Sequence, residues 1–381
     1  DRVNQVALAF LVYGITGSPI AIAATFIAAT LPNLLLGPLA GTLVDRWNQK
    51  EVLIVSDILR AAAVLLIPVT AAIDVLLVFP LVFAVTTVSI FFRPAKDAVM
   101  PRLVQDDELV AANSVRWLGE TLADIVGYPL AGLFATLLGP ALPLAFWIDA
   151  ATYLASAVLV ASIVVPPAPR SAISAAGEGV LAELLAGWRF LRREEVLLAN
   201  TLQGVAGQIT AGVALVVTPI YAATVIAANG GPDEKTAYAL LETAVGVGNL
   251  LGGFVIGLAA TRLAKGRLVI AGYAIYGLCT IGLGLVGALP VAIGLMVGAG
   301  VANMIYLIPS QTLFQQRTPA DMMGRVVGFR FAAVFGAMTL AMGVGGILAE
   351  LLGVRETLVM FGVVTLVAGL GGLLLKPLRD A

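Results

Sequence analysis

Long apolar runs separated by short polar turns dominate this chain. They occupy 1–15, 20–43, 52–72, 75–99, 110–138, 141–165, 196–228, 236–259, 268–288, 290–314, 321–349 and 355–376. About 20 apolar residues in a helix cross about 30 Å of hydrocarbon. Lipid offers the backbone no hydrogen bonds, so each run must satisfy its own N–H and C=O groups and is therefore a helix. The sequence predicts an all-α membrane protein with twelve transmembrane helices. The first run is short: residues 1–15 reach only about 22 Å at the helical rise. No Met precedes it, and the reading expects the chain to begin inside the first helix.

Composition excludes the other classes. Hydrophobic residues make up 60% of the chain and charged residues only 12%, about half the share found in soluble domains. A net charge of −1 gives no footprint for nucleic acid. There is no histidine, and Cys279 is the single cysteine. Disulfide frameworks, His- or Cys-ligated metal, haem and Ser-His-Asp chemistry are thereby excluded. No cofactor, metal or enzymatic activity is expected, and any proton handling falls to carboxylates.

Lysine and arginine placement sets the orientation. With both termini in the cytoplasm, that side holds Arg46, Lys50, Arg102, Arg170, Arg189, Arg192, Arg193, Arg262, Lys265, Arg267, Arg317, Arg325, Lys376 and Arg379. The outer loops hold only Lys235 and Arg355.

The long polar interval divides the chain into 1–165, a six-helix bundle; 166–195, a cytoplasmic linker; and 196–381, a second six-helix bundle. Pro166, Pro167 and Pro169 stop the sixth span. Leu181, Leu184, Leu185, Trp188 and Leu191 then recur at helical spacing beside Arg189, Arg192 and Arg193. That pattern is an interfacial amphipathic helix, or alternatively an extension of span seven. The halves echo each other. Gly41 to Arg46 matches Gly257 to Arg262 at an offset of 216, Pro94 matches Pro309 at 215, and Gly139 matches Gly353 at 214. Such a duplication places a transport site at the repeat interface near the midplane.

Gly37-Pro-Leu-Ala-Gly41-Thr-Leu-Val-Asp45-Arg46-Trp-Asn-Gln-Lys50 resembles the loop between helices two and three of the major facilitator superfamily, with Asn48 where that pattern has Gly. The resemblance implies a cytoplasmic latch that breaks as the halves rock. Gly41, Asp45, Arg46 and Lys50 would form it. Asp57 and Arg60 in the first turns of span three, Arg93 and Lys96 at the end of span four, and Arg116 would be its partners.

Three further stretches are similar to the branch with macrolide-efflux and enterobactin-export proteins. These are Phe92-Arg93-Pro94-Ala95-Lys96-Asp97 with Ala112-Asn113-Ser114, Leu184 to Arg193, and Gln311 to Val326. Lysophospholipid transporters share the Pro-Ala-Lys stretch and the Ala-Asn pair, and are the rival resemblance. Within the efflux branch, Asp1 corresponds to an acid near the middle of the first helix. Gly127-Tyr128-Pro129-Leu130-Ala131-Gly132 partly resembles the antiporter motif of drug–proton exchangers. It reads equally as an ordinary Gly/Pro kink.

A charge near the bilayer centre is costly unless paired or wet, so ionisable residues inside spans are informative. Arg116, Glu120 and Asp124 recur at i, i+4 and i+8 on one face of span five. One cation beside two carboxylates favours a proton on one of them. The expected carrier is Asp124, with Glu120 held ionised by Arg116. Asp149, Glu242 and Asp1 are the other proton candidates. Asn4 (with Gln5), Asn33, Asn200, Gln203, Gln208, Asn249, Asn303, Gln311 and Arg330 are expected to line the substrate cavity.

The resulting expectation is a monomeric secondary transporter working by alternating access in the bacterial cytoplasmic membrane. It would export small amphipathic compounds in exchange for protons. The alternative moves lysophospholipid between leaflets, with Lys96 and Arg330 taking the phosphate.

Overall fold

The computed structural model describes residues 2–44, 47–105, 123, 127, 141, 143–166, 180–259, 264–319 and 322–380. Among the described residues there are helices and turns and no strand. Ten helices are long and apolar enough to cross a membrane, and Ala7–Thr16 is a shorter apolar helix. The fifth expected span, 110–138, lies almost wholly outside the described residues.

Two compact units divide the chain. The first comprises Asp1–Gly17 and Ala24–Gly177; the second comprises Ser18–Ala23 and Glu178–Ala381. The first contains α1 (Arg2–Thr16), most of α2 (Pro19–Val44), α3 (Gln49–Ile73), α4 (Val78–Val99) and α5 (Pro143–Ser162). Here α3 packs against both α4 and α5, and α1 against α5. The sequence reading began span three at residue 52. The helix begins at Gln49 because Asn48 caps it. The Asn48 side chain accepts from the Lys50 N–H at 3.1 Å and donates to Glu51 at 2.9 Å, satisfying a donor that a helix start leaves open. This earlier start moves Asp57 and Arg60 out of the first turns. They sit about 12 and 17 Å along the helix at 1.5 Å per residue.

The second unit holds the linker helix α6 (Val180–Leu191), then α7 (Glu195–Tyr221), α8 (Glu234–Ala259), α9 (Lys265–Leu285), α10 (Leu289–Arg317), α11 (Met323–Leu351) and α12 (Val354–Gly371). Past Pro219, α7 widens into a π-helical stretch at Ala222–Ala227. Glycine seams bring helices into backbone contact. A methyl on Gly277 of α9 would lie 2.6 Å from Leu366 N of α12, and one on Gly362 2.7 Å from Ile281 N. Gly248 and Gly300 do the same between α8 and α10. In lipid, helix association depends on such close packing, because the apolar side chains find equal company in lipid tails.

The helix α6 is docked on this unit. Gly187 lies directly against the Arg325 carbonyl of α11, the Trp188 ring is 5.3 Å from that of Phe329, and Leu191 is fully buried. Arg189, Arg192 and Arg193 stay exposed. Pro94 and Pro309, matched by the repeat, both lie inside helices toward their C-terminal ends.

Candidate functional site

Among the described residues of the first unit, three charged side chains are buried within the bundle. Asp57 is 1% exposed, Arg60 5% and Asp149 4%. Asp57 and Arg60, one turn apart on α3, form an ion pair. Arg60 Nε also donates to the Ser56 carbonyl at 3.3 Å. Its guanidinium lies 4.2 Å from the Phe92 ring of α4 and 4.5 Å from the Tyr153 ring of α5. Two aromatic faces thus share the cation. Asp149 stands one turn before Tyr153 on α5, and Asp57, Arg60 and Asp149 all act electrostatically on the Tyr153 hydroxyl. Asp57 Oδ2 has no hydrogen-bond partner among the described residues. Two helices, α3 and α5, therefore bring two carboxylates and a guanidinium close to Tyr153, and α4 adds the Phe92 ring. Phe92 and Tyr153 were not singled out from sequence. The i, i+4 spacing of Asp149 and Tyr153 was the available signal.

Of the residues expected to form the latch, Gly41 and Lys50 are described and fall at helix ends. Lys50 Nζ donates to the Ala161 carbonyl in the last turn of α5 at 2.8 Å, where a cation complements the helix dipole. Gln49 donates to the Val44 carbonyl of α2 at 3.2 Å and accepts from Arg102 at 3.1 Å. Arg102 also donates to the Pro166 carbonyl. The ends of α2, α3, α4 and α5 are laced together by Gln49 and Arg102, neither of which the sequence marked as a latch residue. Gly41 lies in the last turn of α2. Arg93 is exposed and Lys96 half-buried near the end of α4.

In the second unit, Arg330 of α11 donates to Ser310 Oγ of α10 at 2.6 Å, and Ser310 donates to Asn200 Oδ1 of α7 at 2.9 Å. The guanidinium lies 4.3 Å from the Phe314 ring. Among the described residues no carboxylate pairs with Arg330. Gln203 is spent elsewhere: its Nε2 donates to the Ala368 and Gly369 carbonyls of α12 at 3.2 Å. Asn303 donates to Asn249 at 3.0 Å. Asn33 and Gln311 are exposed. Asn4 is half-buried, and its Oδ1 finds no partner among the described residues.

A cavity of about 230 Å³ lies inside this unit, between α7, α8, α9, α10 and α12. Gln208, Glu242, Tyr276, Cys279, Asn303 and Tyr306 are among its walls. Of the cavity residues expected from sequence, Gln208 and Asn303 meet there; of the proton candidates, Glu242 does. Asp1, Asp45, Arg46, Arg116, Glu120 and Asp124 lie outside the described residues, as does most of the Gly127–Gly132 motif.

Span-length apolar helices gathered in two compact units carry the major facilitator fold. The structure of the nucleoside transporter NupG superposes with a TM-score of 0.78, covering 98% of this chain and 96% of that one at 13% identity. The chain belongs to the transmembrane secretion effector family of major facilitator transporters, whose model matches residues 2–380. Macrolide efflux protein A of Streptococcus pyogenes is 25% identical over 93% of this chain and 86% of its own length. The multidrug efflux pump Tap of Mycolicibacterium fortuitum is 26% identical over 94% and 87%. The protein is a multi-pass transporter and not an enzyme.

Proposed function

We propose that the chain is a proton-coupled antiporter that exports small amphipathic compounds across the bacterial inner membrane. It works as a monomer with both termini cytoplasmic. The efflux proteins to which it is similar support the direction and the substrate type. The observation that carries the coupling is the buried cluster of Asp57, Arg60 and Asp149 between α3, α4 and α5. Ionisable side chains buried inside spans are costly to keep without a function. Asp57 is bonded to Arg60, and in this reading Asp149 is the proton carrier. A change of charge on α5 beside the ion pair of α3 would bias one bundle conformation over another.

The test is substrate flux in proteoliposomes with and without a pH gradient. Asp149→Asn should abolish gradient-driven export and still allow downhill exchange. If it responds to the gradient like the parent, the coupling site lies elsewhere. Asp124→Asn and Glu120→Gln in span five are then the next variants, followed by Glu242→Gln and substitution of Asp1.

A second reading draws on Arg330. A half-buried guanidinium with no carboxylate partner among the described residues suits a phosphate. Under that reading the substrate is a lysophospholipid. Uptake of labelled lysolipid by the same vesicles, lost in Arg330→Gln, would favour it over dye or drug efflux.

A further inference from the structure

The linker helix α6 has two faces, and the bundle uses one of them. Leu184, Gly187, Trp188 and Leu191 recur at helical spacing and seat the helix on α11. Ala182, Leu185, Arg189 and Arg192, at i, i+3, i+7 and i+10, form the other face and are exposed. The helix ends at Leu191, and two backbone bonds carry its turn onward. The Arg192 N–H donates to the Trp188 carbonyl at 2.9 Å, and the Arg193 N–H to the Phe190 carbonyl at 3.0 Å. Arg193, also exposed, is thereby held beside Arg192. Among the described residues no carboxylate pairs with any of the three guanidiniums. The neighbouring Glu194 is engaged by Arg317 at 3.7 Å. Like charges three and four residues apart on a helix repel one another, so this face gains from an anion that the described residues do not supply.

We propose that the free face of α6 binds the phosphate of an anionic phospholipid. Its height in the unit points there. The helix meets α11 between Arg325 and Phe329, about 3 to 9 Å from the start of that span at 1.5 Å per residue. Past Arg193 the chain enters α7 at Glu195. The arginines therefore stand level with the ends of two spans, where a bilayer has its head groups. Leu185, 43% exposed, lies on the same face one turn before Arg189. An aliphatic group beside guanidiniums fits a lipid, whose acyl boundary adjoins its phosphate. A dissolved phosphate would make no use of the leucine. The same unit repeats the pairing elsewhere on its rim. Leu373, Leu374 and Leu375 are exposed immediately before Lys376, which opens the short helix Lys376–Arg379 packed on α7 and α9. Guanidiniums hold phosphate oxygens through paired hydrogen bonds. A zwitterionic head group brings its own ammonium, which the arginines repel, so net charge selects an acidic lipid. This lipid stays bound and is distinct from the transported substrate. Only its leaflet, the cytoplasmic one, rests on the proposed orientation.

The test reads lipid contact at the face itself. In a Cys279→Ser background, Ala182→Cys carries a bimane fluorophore on the exposed side of α6. The full chain is placed in nanodiscs of phosphatidylcholine with a small share of brominated lipid, which quenches bimane on contact. Brominated phosphatidylglycerol should be preferred to brominated phosphatidylcholine by well over tenfold, at roughly fivefold per guanidinium. Arg189→Gln/Arg192→Gln/Arg193→Gln should bring the two lipids to parity. Each arginine changed singly should lower the preference about fivefold, which keeps the test decisive if the triple variant fails to fold. Equal quenching by the two lipids in the parent, or a preference that survives these substitutions, would overturn the assignment. Millimolar inorganic phosphate or polyglutamate, added at fixed ionic strength, should leave the preference unchanged. Its loss to phosphate would give the face to a dissolved anion, and its loss to polyglutamate to an acidic protein segment; either result also overturns the lipid site. The exporter reading is scored separately, because quenching needs neither substrate nor pH gradient. A lipid preference without gradient-driven export in vesicles keeps this assignment and removes that reading. Export with no lipid preference does the opposite.

Discussion

Arg60 makes the plainest case at the scale of single residues. Its charge is compensated by Asp57 and spread over Phe92 and Tyr153. Removing one partner of a buried pair strands the other and typically costs about 3–5 kcal/mol. Arg60→Gln should therefore lower the unfolding temperature in detergent by many degrees. The double variant Asp57→Asn/Arg60→Gln should recover most of that loss, because no unpaired charge then remains in the pair. A double variant less stable than Arg60→Gln alone would contradict this account. The sequence reading made Asp57 and Arg60 partners of the cytoplasmic latch, in the first turns of span three. Their assignment to the first turns of the helix was wrong, because the Asn48 cap starts α3 three residues earlier than hydropathy indicates. Polarity begins the apolar run at 52, whereas capping chemistry begins the helix at 49.

Contacts between elements, more than side-chain size, decide which glycines matter. Gly277 of α9 touches the backbone of α12, while Gly253 of α8 has open space where a side chain would go. Gly277→Leu should reduce folded protein in the membrane severely, since overpacking costs about 1–3 kcal/mol even where neighbours can yield, and here the neighbour is backbone. Gly253→Leu should change little. Fluorescence-detected gel filtration of the two variants checks both. The helix α6 gives a milder prediction. Gly187→Val should lift α6 from α11, since Gly187 sits directly on the Arg325 carbonyl. The bundle itself should persist. Protease cleavage between 180 and 195 should quicken while the melting temperature of the bundle holds. The amphipathic pattern of 181–191 announced this helix. Its seat on α11 was not visible, because a glycine in a polar segment gives no signal that a backbone lies against it.

Across the whole molecule, the offset expected between the two halves pairs residues of different chemistry. At an offset of 216, Asp57 and Arg60 of α3 correspond to Tyr273 and Tyr276 of α9. Those tyrosines gather on Tyr306, with Tyr273 stacked at 4.1 Å and Tyr276 edge-on. One unit thus places an ion pair where the other places aromatic rings. The orientation proposed for the whole chain can be tested in cells. In a Cys279→Ser background, Lys235→Cys should react with a membrane-impermeant maleimide applied outside, and Arg192→Cys should react only after permeabilisation. The reverse pattern would invert the topology.

The sequence by itself determined the class of protein and the position of nearly every described span, since a helix in lipid satisfies its backbone locally and about 20 apolar residues mark its length. It also carried the expectation that any proton handling falls to carboxylates, since the chain has no histidine. Which polar groups meet was decided by the tertiary structure alone. Asn200 and Gln203 lie three residues apart on α7, yet one binds Ser310 of α10 and the other the backbone of α12. Three residues turn a helix by about 300°, leaving the two side chains roughly 60° apart, enough to face different neighbours. Helical periodicity can place side chains on a shared face of one helix. Only packing sets which other helix that face meets, and so which of the buried charges become a site.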